Sequence, residues 1–255
     1  MSVTISTRAT STGNGLSPVA VAKPSGLVDG DALVALVTVP TLSTLNSVVT
    51  PPTGWVELGH FYAPASGAIG ITQAWFAKPI PSAAAETDTS YTFTASNIGA
   101  ARSLVQMGIA KDRDLTALGT SIPKNSTSRS SSSQATPTGA INPSGTGDLW
   151  DIIYSGGARN NTTWTGPDTE LDDYLPAANT SAAIYGLFDQ PSGSYNKTMT
   201  AGTASSAGIG VIIALKKLAA PPLSSPIKRW NGTAYVNQKA LRWNGTAYVP
   251  VVINT

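Results

Sequence analysis

The chain contains no cysteine, which excludes disulfide staples, thiolate zinc sites and cysteine nucleophiles. It holds a single histidine, His60, so general acid–base equipment is sparse. Charged residues are only 12% of the 255, against about 25% in an average soluble domain. No apolar run approaches the ~18 residues of a membrane span. The opening segment Met1-Ser-Val-Thr-Ile-Ser-Thr-Arg-Ala-Thr10 lacks the basic and apolar stretches of a signal peptide. The expectation is a soluble chain with no membrane partner and no cleaved leader.

Turn formers and hydroxyl residues fill the space that charge leaves. The 24 glycines and 18 prolines punctuate short apolar or alternating runs, the signature of strands joined by turns. The predicted strands are 2–8, 17–23, 31–39, 54–62, 68–77, 89–95, 101–110, 134–141, 148–155, 182–189, 196–202 and 208–217. Asp31-Ala-Leu-Val-Ala-Leu-Val-Thr-Val39 is continuously apolar, yet Gly30 before it, Pro40 after it and its β-branched residues favour a buried central strand over a helix. The fold class is all-β, an antiparallel jelly-roll-like sandwich over residues 1–218. The Ser-rich stretch 124–135 reads as a loop or a lightly paired edge.

Three prolines in Ala219-Ala-Pro-Pro-Leu-Ser-Ser-Pro226 sustain neither helix nor sheet, so 219–226 is a linker. Beyond it, Arg229-Trp-Asn-Gly-Thr-Ala-Tyr-Val236 recurs as Arg242-Trp-Asn-Gly-Thr-Ala-Tyr-Val249. Asn-Gly between apolar residues is a strong hairpin signal. Residues 227–255 therefore form a small module of two β-hairpins in series; if Asn231-Gly232 is the two-residue loop, Trp230 pairs with Thr233. Such a module buries too little to stand alone and is expected to pack on the main domain, on another copy of the chain or on a larger assembly. Arg229, Trp230, Tyr235, Arg242, Trp243 and Tyr248 are its candidate docking residues. The last forty residues hold Lys216, Lys217, Lys228, Arg229, Lys239 and Arg242 and no acid. That spread falls short of a nucleic-acid footprint.

Chemistry has few candidates. His60 lies in an apparent strand and no Gly-x-Ser-x-Gly elbow exists. Asp168-Thr-Glu170-Leu-Asp172-Asp173, or Asp148 and Asp151 flanking Trp150, offers carboxylates for glycoside hydrolysis. The first cluster also gathers hard oxygens suited to calcium, without the glycine and spacing of an Asp-x-Asp-x-Asp-Gly loop. A solvated turn is the competing reading. The expectation is no catalytic residue, no metal and no cofactor. Trp164, in the polar stretch Ala158-Arg-Asn-Asn-Thr-Thr-Trp-Thr-Gly-Pro167, forms with Asn160 and Asn161 a candidate surface for glycan or host contact. The alternative is an indole folded back onto the sandwich as an anchor.

Several stretches carry a family resemblance: Pro24-Ser-Gly-Leu-Val-Asp-Gly-Asp31-Ala-Leu-Val-Ala-Leu-Val, Pro51-Pro-Thr-Gly-Trp55-Val-Glu-Leu, Gln73-Ala-Trp-Phe-Ala-Lys78, Ser90-Tyr-Thr-Phe93 and Gly210-Val-Ile-Ile-Ala-Leu. Over most of 15–217 this pattern resembles the β-sandwich domain of minor tail proteins of phages that infect actinobacteria. The twin Trp-Asn-Gly-Thr-Ala-Tyr-Val copies look like short C-terminal repeats of phage virion proteins. The resemblance implies a non-enzymatic virion protein of the tail tip or fibre, contributing to assembly and host attachment. Its partners would be other virion proteins, further copies of the chain as in a trimer, and a host cell-wall glycan. A capsid decoration protein and a carbohydrate-binding or depolymerising domain are the alternatives.

Overall fold

The computed structural model describes residues 3–12, 15, 17–42, 45–64, 69–114, 116, 118, 122–129, 135–159, 163–174, 180–202, 208–218, 228–230, 235–237, 241–243 and 248–250. All regular elements among them are strands, and the chain divides into two compact units, Met1–Leu218 and Ala219–Thr255.

The first unit opens with eight strands: β1 (Val3–Thr10), β2 (Val19–Ala22), β3 (Asp31–Leu42), β4 (Val49–Thr50), β5 (Val56–Ala63), β6 (Ile69–Ile80), β7 (Ser90–Ala95) and β8 (Leu104–Ala110). They form a five-stranded sheet, β1-β8-β3-β6-β5, and a three-stranded sheet, β2-β7-β4. This order, with antiparallel pairing throughout, is a jelly roll.

Eight more strands follow: β9 (Lys124–Arg129), β10 (Ala135–Ile141), β11 (Leu149–Arg159), β12 (Trp164–Thr165), β13 (Thr169–Tyr174), β14 (Thr180–Pro191), β15 (Tyr195–Ala201) and β16 (Gly208–Lys216). Their sheets run β13-β14-β11-β16-β9 and β10-β15-β12. With each number reduced by eight, these are the two sheets of the first half. Residues 1–218 therefore hold two jelly rolls of the same topology in tandem, where the sequence suggests one sandwich with fewer strands.

Local details repeat with the topology. Pro-Ser-Gly followed shortly by Gly-Asp precedes β3 as Pro24 to Asp31 and β11 as Pro143 to Asp148. Gly30 and Gly147 stand at φ of 86° and 76°, in the left-handed region that glycine enters without a Cβ clash. Lys111, just after β8, reaches back to Asp31 at 2.8 Å, and Lys216 at the end of β16 reaches Asp148 at 2.9 Å. β5 and β13 each bulge immediately after a glutamate, at Leu58 and Leu171.

The two jelly rolls pack through their five-stranded sheets. β1 lies against β13 and β5 against β9, while β8 meets β14 and β6 meets β16. Each of these four contacts maps onto its counterpart when the halves are exchanged, the isologous pattern of a two-fold pair. β3 thus has both faces covered. Leu33, Ala35, Val37 and Val39 fill the first sandwich with Phe76, Tyr91 and Phe93, while Ala32, Val34 and Leu36 face the seam with Ile153, Ile184 and Val211. Burial on two faces explains its unbroken apolar sequence. In the second sandwich, Trp150, Ile152 and Tyr154 pack with Trp164, Met199 and Ile212.

A polar chain crosses the apolar seam. The Trp75 indole N–H donates to Ser155 Oγ at 3.2 Å, Ser155 donates to Gln73 Oε1 at 3.0 Å, and Gln73 Nε2 donates to Thr38 Oγ1 at 3.2 Å. These buried groups satisfy one another, as burial requires. A Cβ on Gly157 would stand 2.8 Å from Gln73 Nε2, so glycine there leaves room for the amide.

The Ser-rich stretch contributes an edge strand, β9, paired to β16 on one side. The acidic stretch read as a turn is strand β13. In the second unit, β17 (Lys228–Trp230) pairs with β18 (Tyr235–Asn237), and β19 (Leu241–Trp243) pairs with β20 (Tyr248–Pro250). Trp230 stands opposite Tyr235, and Trp243 opposite Tyr248. This register sets Trp230 against Tyr235 and not against Thr233; Asn231, Gly232 and Thr233 lie outside the described residues. Among the described residues the hairpins form two separate sheets.

Candidate functional site

Two edge strands from different jelly rolls meet where β1 runs beside β13. β1 carries a bulge between Ile5 and Thr7, which leaves Ser6 outside the pairing with β8. Extra residues at sheet edges re-aim side chains. Ile5, Ser6, Thr7 and Arg8 line one side of a cavity of about 210 Å³, and Asp172 closes the other.

Arg8 is fixed three ways. Its Nη1 donates to Asp172 Oδ1 at 2.8 Å and to the Asp173 carbonyl oxygen at 2.9 Å, and its guanidinium lies 5.2 Å from the centre of the Tyr174 ring. The Arg8 side chain is 50% exposed and that of Asp172 only 16%. Beneath the pair, fully buried Gln106 donates Nε2 to Asp172 Oδ2 at 2.8 Å, and its Oε1 has no partner. Burial pushes the Asp172 carboxyl above its ordinary range; the Gln106 hydrogen bond and the Arg8 charge oppose that rise, and Asp173 adds to it. The recess thus sets a fixed donor fork beside an ionisable acceptor, with Ser6 on the bulge and Thr7, whose hydroxyl donates to the Met107 carbonyl oxygen at 3.5 Å, next to it.

Four of the other carboxylates flagged by the sequence have structural partners. Asp168 accepts from the Tyr154 hydroxyl at 3.0 Å and from Lys197 at 2.6 Å. Glu170 accepts from Tyr185 at 3.3 Å. Asp148 is paired with Lys216, and Asp151 is buried against Arg113 at 2.5 Å. No group of three or more candidate metal ligands occurs among the described residues. His60 Nδ1 is 3.8 Å from Glu57 and its Nε2 is buried without a partner.

Trp164 is a correction. It is 4% exposed, packs in the second core, donates its indole N–H to Ser181 Oγ at 3.3 Å and covers Gly156, where a Cβ would approach it to 2.6 Å. β12 places it beside Ala201, so the indole fills the sandwich and offers no face to a ligand. Asn160 and Asn161 lie outside the described residues. Arg229, Trp230, Arg242 and Trp243 fall in β17 and β19, and Tyr235 and Tyr248 open β18 and β20. The sequence reading missed Arg8 and Gln106, since neither belongs to a motif.

Fold and recess together define a tandem jelly-roll protein with a polar cavity on the edge where β1 meets β13. No protein-family model matches the chain, and no characterised protein or solved structure matches it either.

Proposed function

We propose that this chain is a non-enzymatic structural protein of a phage virion, a tail-tip or fibre component that serves assembly and host-surface attachment. The fused pair of jelly rolls carries the reading. Two sandwiches joined through their large sheets make a stiff scaffold, and three of the carboxylates offered for hydrolysis by the sequence hold it together: Asp148 with Lys216, Asp151 with Arg113, Asp168 with Lys197. The separate C-terminal unit, with its twin hairpins and acid-free composition, suits a docking role toward other virion proteins or further copies of the chain.

Immunogold electron microscopy of phage particles, with antibody raised against the recombinant chain, tests this. Gold at the tail end supports the proposal. Gold across the head reassigns the chain as a capsid decoration protein, and particles without gold overturn the virion reading.

A further inference from the structure

We infer that the recess between β1 and β13 is a binding site for a neutral polyhydroxy ligand, a single sugar ring. The charge state comes first. Arg8 is compensated by Asp172 at 2.8 Å. An anion would gain the guanidinium only against the adjacent carboxylate, and a cation would meet the reverse. A neutral ligand escapes both penalties and uses both groups.

The hydrogen-bonding pattern narrows the class further. Both Arg8 bonds leave from Nη1, so Nη2 and Nε remain as donors in a fixed fork. Each oxygen of Asp172 accepts one bond and keeps capacity for another. Vicinal hydroxyls, each both donor and acceptor, match a donor fork beside an acceptor. Ser6 continues the wall with a hydroxyl outside the sheet pairing, and Thr7 lines it while donating its own hydroxyl to the Met107 carbonyl oxygen at 3.5 Å.

Size and stiffness agree. A volume of about 210 Å³ corresponds to the liquid share of about seven waters, enough for one ring. Tyr174, the Asp173 carbonyl and Gln106 hold the charged pair in place before any ligand arrives, which lowers the ordering cost of binding. This inference does not depend on the virion proposal, because particle location and sugar binding are read separately and either can fail alone.

The test is an NMR titration of the full chain with D-glucose, D-galactose, D-mannose and N-acetyl-D-glucosamine, and with inorganic phosphate as the anionic probe. At least one sugar is expected to give saturable amide shifts centred on Ser6, Thr7, Arg8 and Asp172, with a Kd of about 1 mM. Arg8→Ala should weaken that binding at least tenfold. Ser6→Leu, at an exposed position on the rim, should abolish it while leaving the Arg8 and Asp172 pair in place. No saturable response to any sugar, shifts centred elsewhere, phosphate binding in their stead, or a Ser6→Leu variant that binds like the parent would each overturn the inference.

Discussion

Arg113 and Asp151 form an ion pair with no exposed side-chain surface, 2.5 Å apart. Arg113 belongs to the segment joining the jelly rolls, and Asp151 to β11 of the second. Burial pushes the arginine below its ordinary range, and the Asp151 carboxylate pushes it back up. Removing one partner strands a buried charge. Arg113→Met should cost about 3–5 kcal/mol, read as a lower urea midpoint. The double variant Arg113→Met with Asp151→Leu should be more stable than Arg113→Met alone, because no uncompensated carboxylate remains.

The carboxyl of Asp172 is shifted upward by burial, against the pull of its Gln106 and Arg8 partners. Its folded pKa lies above the ordinary value, so the folded chain holds this proton more tightly than the unfolded chain. The stabilising contribution is complete below the unfolded pKa and is lost as pH rises through the folded one. Carboxyl NMR titration should place Asp172 above 3.8. Arg8→Ala should raise it further by removing a favourable positive charge.

Trp164→Ala should destabilise the chain by about 3–5 kcal/mol, since a large buried side chain leaves a cavity. Denaturant unfolding of the 1–218 chain and its variant measures this directly. A loss under about 0.5 kcal/mol, usual for an exposed position, would return the indole to the surface.

At Gly108 the constraint is backbone. A Cβ there would fall 1.7 Å from the Thr4 carbonyl oxygen, and the obstacle cannot rotate away. Gly108→Ala should cost at least 1–3 kcal/mol, the usual penalty for overpacking. It should also displace β1, and with it Arg8, seen as amide shifts from Val3 to Thr10.

Deleting 219–255 should leave the sandwiches folded, with an unchanged melting temperature, since the two units are separately compact. Under the virion proposal the truncated chain should no longer enter particles, scored by immunoblot of purified phage. A truncated chain that fails to fold would place the repeats in the stability of the first unit.

The central strands were legible because burial on two faces leaves a continuous apolar record, as in β3 and in β16. The duplication was not, because the halves share turn chemistry and topology while their core residues differ: Leu33, Ala35 and Val37 in one sandwich, Trp150, Ile152 and Tyr154 in the other. β13 hid for a different reason. Its acids look like a solvated turn until Arg8, Gln106 and Tyr185 supply partners, and Arg8 is 164 residues away from Asp172. Trp164 misled because its neighbours in sequence are polar while its neighbours in space are Met199 and Ala201.

The isologous seam closes within one chain. In a pair of separate subunits such a contact obeys mass action and comes apart on dilution. Here the connection through Arg113 keeps each jelly roll at a high effective concentration of its mate. The recess at the β1 and β13 edge therefore persists at any protein concentration. The opposite edge, where β5 meets β9, is encoded by different residues: Lys124 of β9 donates to the Leu58 carbonyl of β5 at 2.6 Å, where the β1 and β13 edge sets Arg8 against Asp172.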